Sequence, residues 1–351
     1  MADEREFLGL LRQIAPGTPF RQALDSINRL GKGALILIAD KEQAADVLES
    51  GFELNTDFTP QKLTELSKMD RAIVVDKTLK KILYANVLLV PKTEISSRET
   101  GTRHLAAEKV AKQIHAPTLA VSASKDRVTV YYGETSYILP DFSTLTARVN
   151  QALHILEQYR STLDNRLDEL TSLEFEGRVM PDDVAGVIQL MVQMVHVEAD
   201  TGRWFVELGE EKYLHQQLLE WLMLDVTVRL RLVVCDYKKV KVQGEKLVDA
   251  IVTMPRERLL EHEEVLAVLG YDDLNNDENM TLVPRGYRVL HEIHRLPSAI
   301  ASRVVKKFST LTRIAESSED DLMKIKGIAG VRARAIRAGM VRMRAMCHPL
   351  S

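Results

Sequence analysis

Between Asp70 and Glu108 the chain changes character three times, and no other stretch limits its fold as much. Asp70-Arg71-Ala72-Ile73-Val74-Val75 and Ile82-Leu83-Tyr84-Ala85-Asn86-Val87-Leu88-Leu89-Val90 are apolar runs bounded by polar turns, which reads as two strands. Glu99-Thr100-Gly101-Thr102-Arg103-His104-Leu105-Ala106-Ala107-Glu108 reads as a loop opening a helix, with Thr102 as N-cap and Ala106, Val110 and Ile114 at helical spacing. A helix start offers free backbone N–H groups at the positive end of its dipole, and the fork of Arg103 fits phosphate oxygens. Asp70, opening the first strand, is a carboxylate available to a divalent cation. This chemistry points to a nucleotide phosphate site.

The flanking sequence frames that stretch. Phe7, Leu8, Leu11 and Ile14 recur at helical spacing, and Pro16-Gly17-Thr18-Pro19 then breaks the chain. Thr18 reads as the cap and Pro19 as the first residue of a second helix, lined by Phe20, Leu24, Ile27 and Leu30 and closed by Gly31. Ala34–Ala39 is a continuous apolar run, which predicts a strand buried on both faces. Helices are expected near 42–49, 60–68 and 103–115, and strands over 118–122, 128–132 and 136–139. Strands interleaved with helices predict an α/β domain on a mixed sheet, ending near residue 145.

Beyond Val149 the pattern is helical only. Leu156, Leu163 and Leu170 recur every seven residues, with Leu167 and Leu173 between them, as an amphipathic helix packed within the chain or a coiled-coil seam would require. Asp272-Asp273-Leu274-Asn275-Asn276-Asp277-Glu278-Asn279 reads as a loop or hinge. Past it, residues 285–351 hold 14 Lys+Arg against 5 Asp+Glu, whereas residues 1–284 hold 33 against 45. A net charge of −3 therefore conceals a +9 end on a −12 body, and that end suits a polyanion partner.

Two similar units lie in the basic end. Leu322-Met323-Lys324-Ile325-Lys326-Gly327-Ile328-Ala329-Gly330-Val331-Arg332-Ala333-Arg334 matches the helix-hairpin-helix signature. Gly327 and Gly330 permit a tight hairpin, so that N–H groups at the next helix start can face a DNA phosphate, with Lys326, Arg332 and Arg334 around it. Such contacts hold the DNA backbone and read little sequence. The earlier unit, around Leu296-Pro297-Ser298, lacks the glycines and reads as a partner that completes the fold.

The wording of the organising stretch resembles the diadenylate cyclase domain of the DisA family of bacterial DNA integrity scanning proteins. That family carries Asp-Gly-Ala where this chain has Asp70-Arg71-Ala72, and Gly-Thr-Arg-His-Arg-Thr-Ala-Glu where it has Gly101–Glu108. Tyr84-Ala85-Asn86-Val87 and Leu89-Val90-Pro91 belong to the same frame. The resemblance implies condensation of two ATP into cyclic di-AMP across a symmetry axis, Mg²⁺ or Mn²⁺ as cofactor, an octamer, and control by branched DNA such as recombination intermediates. It implies Asp70 as catalytic and metal-binding carboxylate, and ATP contacts from Arg71, Ala72, Leu89, Thr102, Arg103, His104, Leu105 and Ala106. The implied architecture is a cyclase domain (1–145), an all-α linker domain (146–284) and a helix-hairpin-helix domain (285–351).

Four departures crowd one place. Arg71 replaces the triplet's glycine, Leu105 the second arginine of Arg-His-Arg, Ala106 a threonine, and the turn Ser122-Ala123-Ser124-Lys125-Asp126 holds one Lys where relatives are Arg-rich. Arg71 either blocks the pocket or lends its charge to the phosphate. The alternative function is a DNA-binding oligomer whose degenerate cyclase centre serves as nucleotide sensor or scaffold; a repair factor unrelated to cyclic nucleotides fits less of the chain.

The remaining features exclude more than they assign. With 45% hydrophobic and 28% charged residues, the 351-residue chain has an ordinary globular composition. It has no membrane-length apolar run, a charged N-terminus, and only Cys235 and Cys347 as cysteines. A cytoplasmic protein without a structural zinc is expected. His196, His291 and His294 have no Cys/His cluster around them and read as helix-face histidines, and Trp204 and Trp221 as core or interface.

Overall fold

The computed structural model describes residues 2–123, 127–271 and 280–347. The acidic stretch 272–279 and residues 124–126 of the Lys125 turn lie outside them. Two compact units are formed, residues 1–150 with 202–216, and residues 151–201 with 217–351.

The first unit begins with α1 (Ala2–Gln13), α2 (Pro19–Arg29), β1 (Ala34–Ile38), α3 (Lys41–Ala44), β2 (Leu48–Glu49), β3 (Phe52–Asp57) and α4 (Pro60–Leu66). It continues with β4 (Ala72–Val75), β5 (Lys81–Leu89), α5 (Thr102–Ile114), β6 (Thr118–Val121), β7 (Val128–Tyr132) and β8 (Thr135–Leu139). The strand order is β2-β5-β4-β1-β6-β7-β8, with β3 also on β5. Only the β1–β4 pairing is parallel, so the sheet is mixed, as expected.

Both faces are covered, which explains the unbroken apolar reading of β1. Ile36 and Ile38 join Ile73, Val75 and Ile82 beneath Leu11, Phe20, Leu24, Ile27 and Leu63. On the other face Leu35 and Leu37 join Ala72, Val74, Leu83 and Leu89 beneath Ala107, Val110 and Ala111 of α5. Thr18 caps α2, accepting from the Arg21 amide, and Pro19 opens the helix. Leu30, expected on the lining face of that helix, is instead 49% exposed. The helix expected over 42–49 is only α3 and one 3₁₀ turn, because the chain straightens at Leu48 to pair with β5.

The other long helices are α6 (Phe142–Glu176) and α7 (Pro181–Leu208), followed by α8 (Tyr213–Leu222), α9 (Val226–Tyr237), α10 (Gly244–Val252), α11 (Arg256–Leu259) and α12 (His262–Leu269). No helix among the described residues is long and apolar enough to cross a membrane. Leu156, Leu163, Leu167 and Leu170 of α6 are all buried inside this one chain, which favours the packed-helix reading of the heptad. Trp221 lies on the surface. The Tyr137 hydroxyl donates to Glu207 at 2.7 Å, tying the end of α7 to β8 within the first unit.

The basic end comprises α13 (Tyr287–His291), α14 (Ser298–Phe308), α15 (Leu311–Glu316), α16 (Glu319–Met323) and α17 (Gly330–Cys347). Two helix pairs, α13–α14 and α16–α17, share one core through Leu290, Ile293, Ile300, Ile325, Ile328 and Ile336. Their turns correspond: Gly327 sits at φ 94° and Arg295 at φ 61°, so the first turn makes the same left-handed step without glycine.

Polar groups join α9 to α13 within the second unit. Asp236 accepts from the amides of Gly286, Tyr287 and Arg288 at 2.7, 2.6 and 2.9 Å, supplying the cap that Gly286 lacks. Burial, with Glu174 nearby, pushes that carboxyl up to about 7 against the pull of the Arg288 and Tyr287 amides and the Arg288 charge. Arg285 returns the arrangement by donating to the carbonyls of Cys235 and Lys238 at 3.2 and 2.8 Å. Beside them Glu174, 1% exposed, is held by the Arg288 guanidinium and by the Tyr237 hydroxyl at 2.6 Å.

Candidate active site

The parallel pairing of β1 with β4 sets the site. Leu35 lies opposite Ala72, so Gly33 and Asp70 both precede the paired starts of β1 and β4, at the amino ends of two neighbouring strands. Gly33 is where Arg103 comes to rest. A Cβ on that glycine would stand 2.3 Å from Arg103 Nη1 and 2.8 Å from its Cζ. The missing side chain thus brings the guanidinium of α5 down beside the start of β1. Neither Asp70 nor Arg103 makes a hydrogen bond or ion pair among the described residues, so the carboxylate and the fork are both uncommitted.

The helix start differs from expectation. Gly101 is the N-cap and Thr102 the first helical residue, and no side chain caps the helix. The first hydrogen bond is from the Leu105 amide to the Gly101 carbonyl at 2.8 Å. The amides of Thr102 and Arg103 therefore have no helical acceptor, and they lie at the positive end of a 13-residue helix. A glycine cap leaves that end more open than the expected threonine would.

His104 is held from behind. Its Nδ1 lies 2.8 Å from the Tyr131 hydroxyl, which itself donates to Glu99 at 2.8 Å, so Nδ1 carries the proton in this chain of bonds. Burial, then Glu99, push the Tyr131 phenol well above its ordinary range and keep it a donor. The loop before the helix is latched by Glu108, which accepts from the Ser97 hydroxyl at 2.6 Å and the Arg98 amide at 3.0 Å and pairs with Lys112 at 3.0 Å.

Burial pushes Glu108 up, but the Ser97 hydroxyl, Lys112 and the Arg98 amide outweigh it and hold the carboxyl below its ordinary value. A folded value below the unfolded one adds stability above the unfolded value and loses it as pH falls through the folded one. Wild type should therefore melt above Glu108→Gln at neutral pH. The gap in melting temperature should close in acid, below the ordinary glutamate value of about 4.3.

Ala72, Leu89 and Ala106 meet in one apolar cluster under α5. Leu105 is half-buried, and no polar group replaces the arginine that stands there in the resembling family. Arg71 turns elsewhere: its Nη1 donates to Ser50 Oγ at 3.1 Å, in the turn after β2. Of the two readings of Arg71, this geometry puts its charge on Ser50. Sequence reasoning passed over Gly33, Tyr131, Ser50 and the latch at Glu108.

Two family models divide the chain. The DisA bacterial checkpoint controller nucleotide-binding family matches residues 21–136, and the DisA bacterial checkpoint controller linker region matches residues 139–278. The DNA integrity scanning protein DisA of Carboxydothermus hydrogenoformans is 40% identical over 346 residues, 98% of this chain and 98% of its own. The chain belongs to the DisA family. The DisA protein of Clostridioides difficile is 36% identical over 342 residues, covering 97% of this chain and 96% of its own. The DisA protein of Bacillus subtilis is 36% identical over 341 residues, covering 97% and 94%. The nucleotide-binding match spans Asp70, Arg103 and all that lies between.

Arg71 sits at φ 71°, a left-handed conformation that fits the glycine of the DisA triplet. Such backbone costs a side-chain-bearing residue about 1–2 kcal/mol, offset in part by the extra freedom glycine has when unfolded. Arg71→Gly should thus raise stability by about 0.5–1 kcal/mol, read as a higher denaturant midpoint. An unchanged or lower midpoint would contradict the strain at this residue.

Proposed function

We propose that this chain is a diadenylate cyclase that joins two ATP into cyclic di-AMP and two pyrophosphates, coupled to the scanning of branched DNA. The observation that supports it most is that a carboxylate, Asp70, and a guanidinium, Arg103, both uncommitted among the described residues, lie at the amino ends of the neighbouring strands β4 and β1, with the helix start of α5 carrying Arg103. That arrangement suits a triphosphate. Each ribose 3′-oxygen bonds to the α-phosphorus of the other ATP, the bond from that phosphorus to the bridging oxygen breaks, and the hydroxyl proton leaves. Repeated in both directions, this closes the ring.

Phosphoryl chemistry of this kind rests on positioning and on compensating charge. Arg103 and the amides of Thr102 and Arg103 bind and orient phosphate oxygens, and the Tyr131–Glu99 chain keeps His104 in place next to them. Ala72 and Leu89 are buried beneath α5 and support the strands from below. Mg²⁺ or Mn²⁺ would supply charge neutralisation and a lowered barrier to deprotonating the hydroxyl. Asp70 fits it, since one uncommitted carboxylate plus substrate phosphates is a usual way to hold such an ion. One domain orients one ATP, so two copies must face each other, in line with the octamer that the family resemblance implies.

A non-cycling nucleotide sensor or scaffold is the second reading, favoured by Leu105 and by Arg71 being drawn to Ser50. Incubation of purified protein with ATP and Mn²⁺, followed by chromatography for cyclic di-AMP, decides between them. Product formation supports the cyclase; bound ATP without product supports the sensor.

The DNA arm of the proposal uses the start of α17. Gly327 requires its left-handed conformation, and a Cβ there would meet Ile300 at 2.8 Å. Gly330 has nothing within 4 Å, so open space lies before the helix start, as an approaching phosphate needs. Arg332 donates to the Gly327 carbonyl at 2.6 Å and stiffens the turn, while Lys326 and Arg334 are exposed beside it. Lys326→Ala combined with Arg334→Ala should weaken DNA binding equally across sequences and lower the salt slope by about two. A slope unchanged in fluorescence titrations at several salt concentrations would remove these two residues from the interface.

A further inference from the structure

The proposed cyclase chemistry uses the amino edge of β1 and β4 and leaves the carboxyl edge unassigned. In open α/β sheets the crevice outside the carboxyl ends of parallel strands is a common ligand position. Here it holds a cavity of about 400 Å³, within the range of small-molecule sites. Its floor is Ile38 and Pro117, where β1 ends and β6 begins. Phe7 and Tyr132, stacked with centroids 6.4 Å apart, form an aromatic wall.

Two kinds of polar residue line this apolar slot. Gln43 donates through Nε2 to the Ile114 carbonyl at 2.6 Å, closing the end of α5. The amide cannot be reversed without setting two carbonyl oxygens together, so Oε1 is fixed as an acceptor. That oxygen is buried and has no hydrogen-bond partner among the described residues. Lys77 and His115 add donors at the rim, Lys77 sharing its ammonium with Asp40 at 2.9 Å. Glu6, the carboxylate on the lining, is already taken by the Tyr132 hydroxyl.

We propose that this cavity binds a small planar aromatic molecule that carries a hydrogen-bond donor and one anionic group. The ring lies along Phe7 and Tyr132, the donor meets Gln43 Oε1, and the anion reaches Lys77 and His115. An aromatic amino acid such as anthranilate and a nucleoside monophosphate both present this set. The site does not depend on the cyclase reading.

Calorimetry on the full chain tests it, with anthranilate and AMP titrated separately. At least one should bind with a dissociation constant below about 1 mM. Gly9 lines the cavity, and a Cβ added there meets nothing within 4 Å, so Gly9→Leu can branch toward the space from an unhindered Cβ and strengthens a helix. That variant and Lys77→Ala should each weaken binding at least about tenfold. Binding of anthranilate alone identifies a small aromatic acid, and of AMP alone a nucleotide. No binding of either, or binding indifferent to Gly9→Leu, overturns the proposal.

Discussion

Asp70→Asn is expected to lower cyclic di-AMP formation by about 10²–10³-fold while ATP still binds, because it removes one preorganised charge at the reacting phosphates and nothing else. Asp70 is exposed and without partners among the described residues, so the substitution should leave the melting temperature where it was. Gly33→Ala is the companion test. Its methyl would occupy the resting place of the Arg103 guanidinium, the flexible end of a side chain, and push it from the edge. Loss of a charged hydrogen bond to phosphate is worth about 1.5–3 kcal/mol, or roughly 10–150-fold in ATP affinity by calorimetry. If Asp70→Asn forms product at the wild-type rate, the carboxylate has no part in the reaction. If Gly33→Ala binds ATP as wild type does, Arg103 takes no phosphate.

The largest expected effect on stability lies within the second unit. Arg288→Met leaves Glu174 as a buried anion with one hydroxyl partner, and breaking such a pair costs about 3–5 kcal/mol. Circular dichroism during chemical denaturation should show the second unit unfolding at much lower denaturant. Adding Glu174→Leu should restore most of the loss, since removing both charges removes the penalty as well. A double variant no better than Arg288→Met alone would show that packing, not the stranded charge, sets the cost.

The parts of this molecule that were legible in sequence are those where periodicity and burial coincide. β1 is apolar throughout because helices cover both its faces. β3 was missed for the opposite reason: Phe52–Asp57 is almost wholly exposed, bulged between Glu53 and Thr56, and its two large apolar residues, Phe52 and Leu54, are 58% and 38% exposed. The return of residues 202–216 to the first unit was equally hidden, since α7 keeps one helical pattern while it leaves one core for another.

At the candidate site, the local chemistry of Thr102-Arg103-His104 was readable, and its supports were not. Gly33 stands between Lys32 and Ala34 with no motif to mark it, and its role exists only because strand register sets it under Arg103. Tyr131 lies 27 residues from His104 and 32 from Glu99, so their hydrogen bonds follow from the β6–β7 hairpin and not from spacing. Glu174 and Arg288 are 114 residues apart, beyond any local signal.

The left-handed turn at Arg71 has a consequence for redesign. Main-chain geometry there already suits glycine, held by the turn that leads into β4. Placing glycine at this position would change a side chain and leave the path of the polypeptide as it is. Any effect of that exchange on nucleotide chemistry can then be read as an effect of the guanidinium alone.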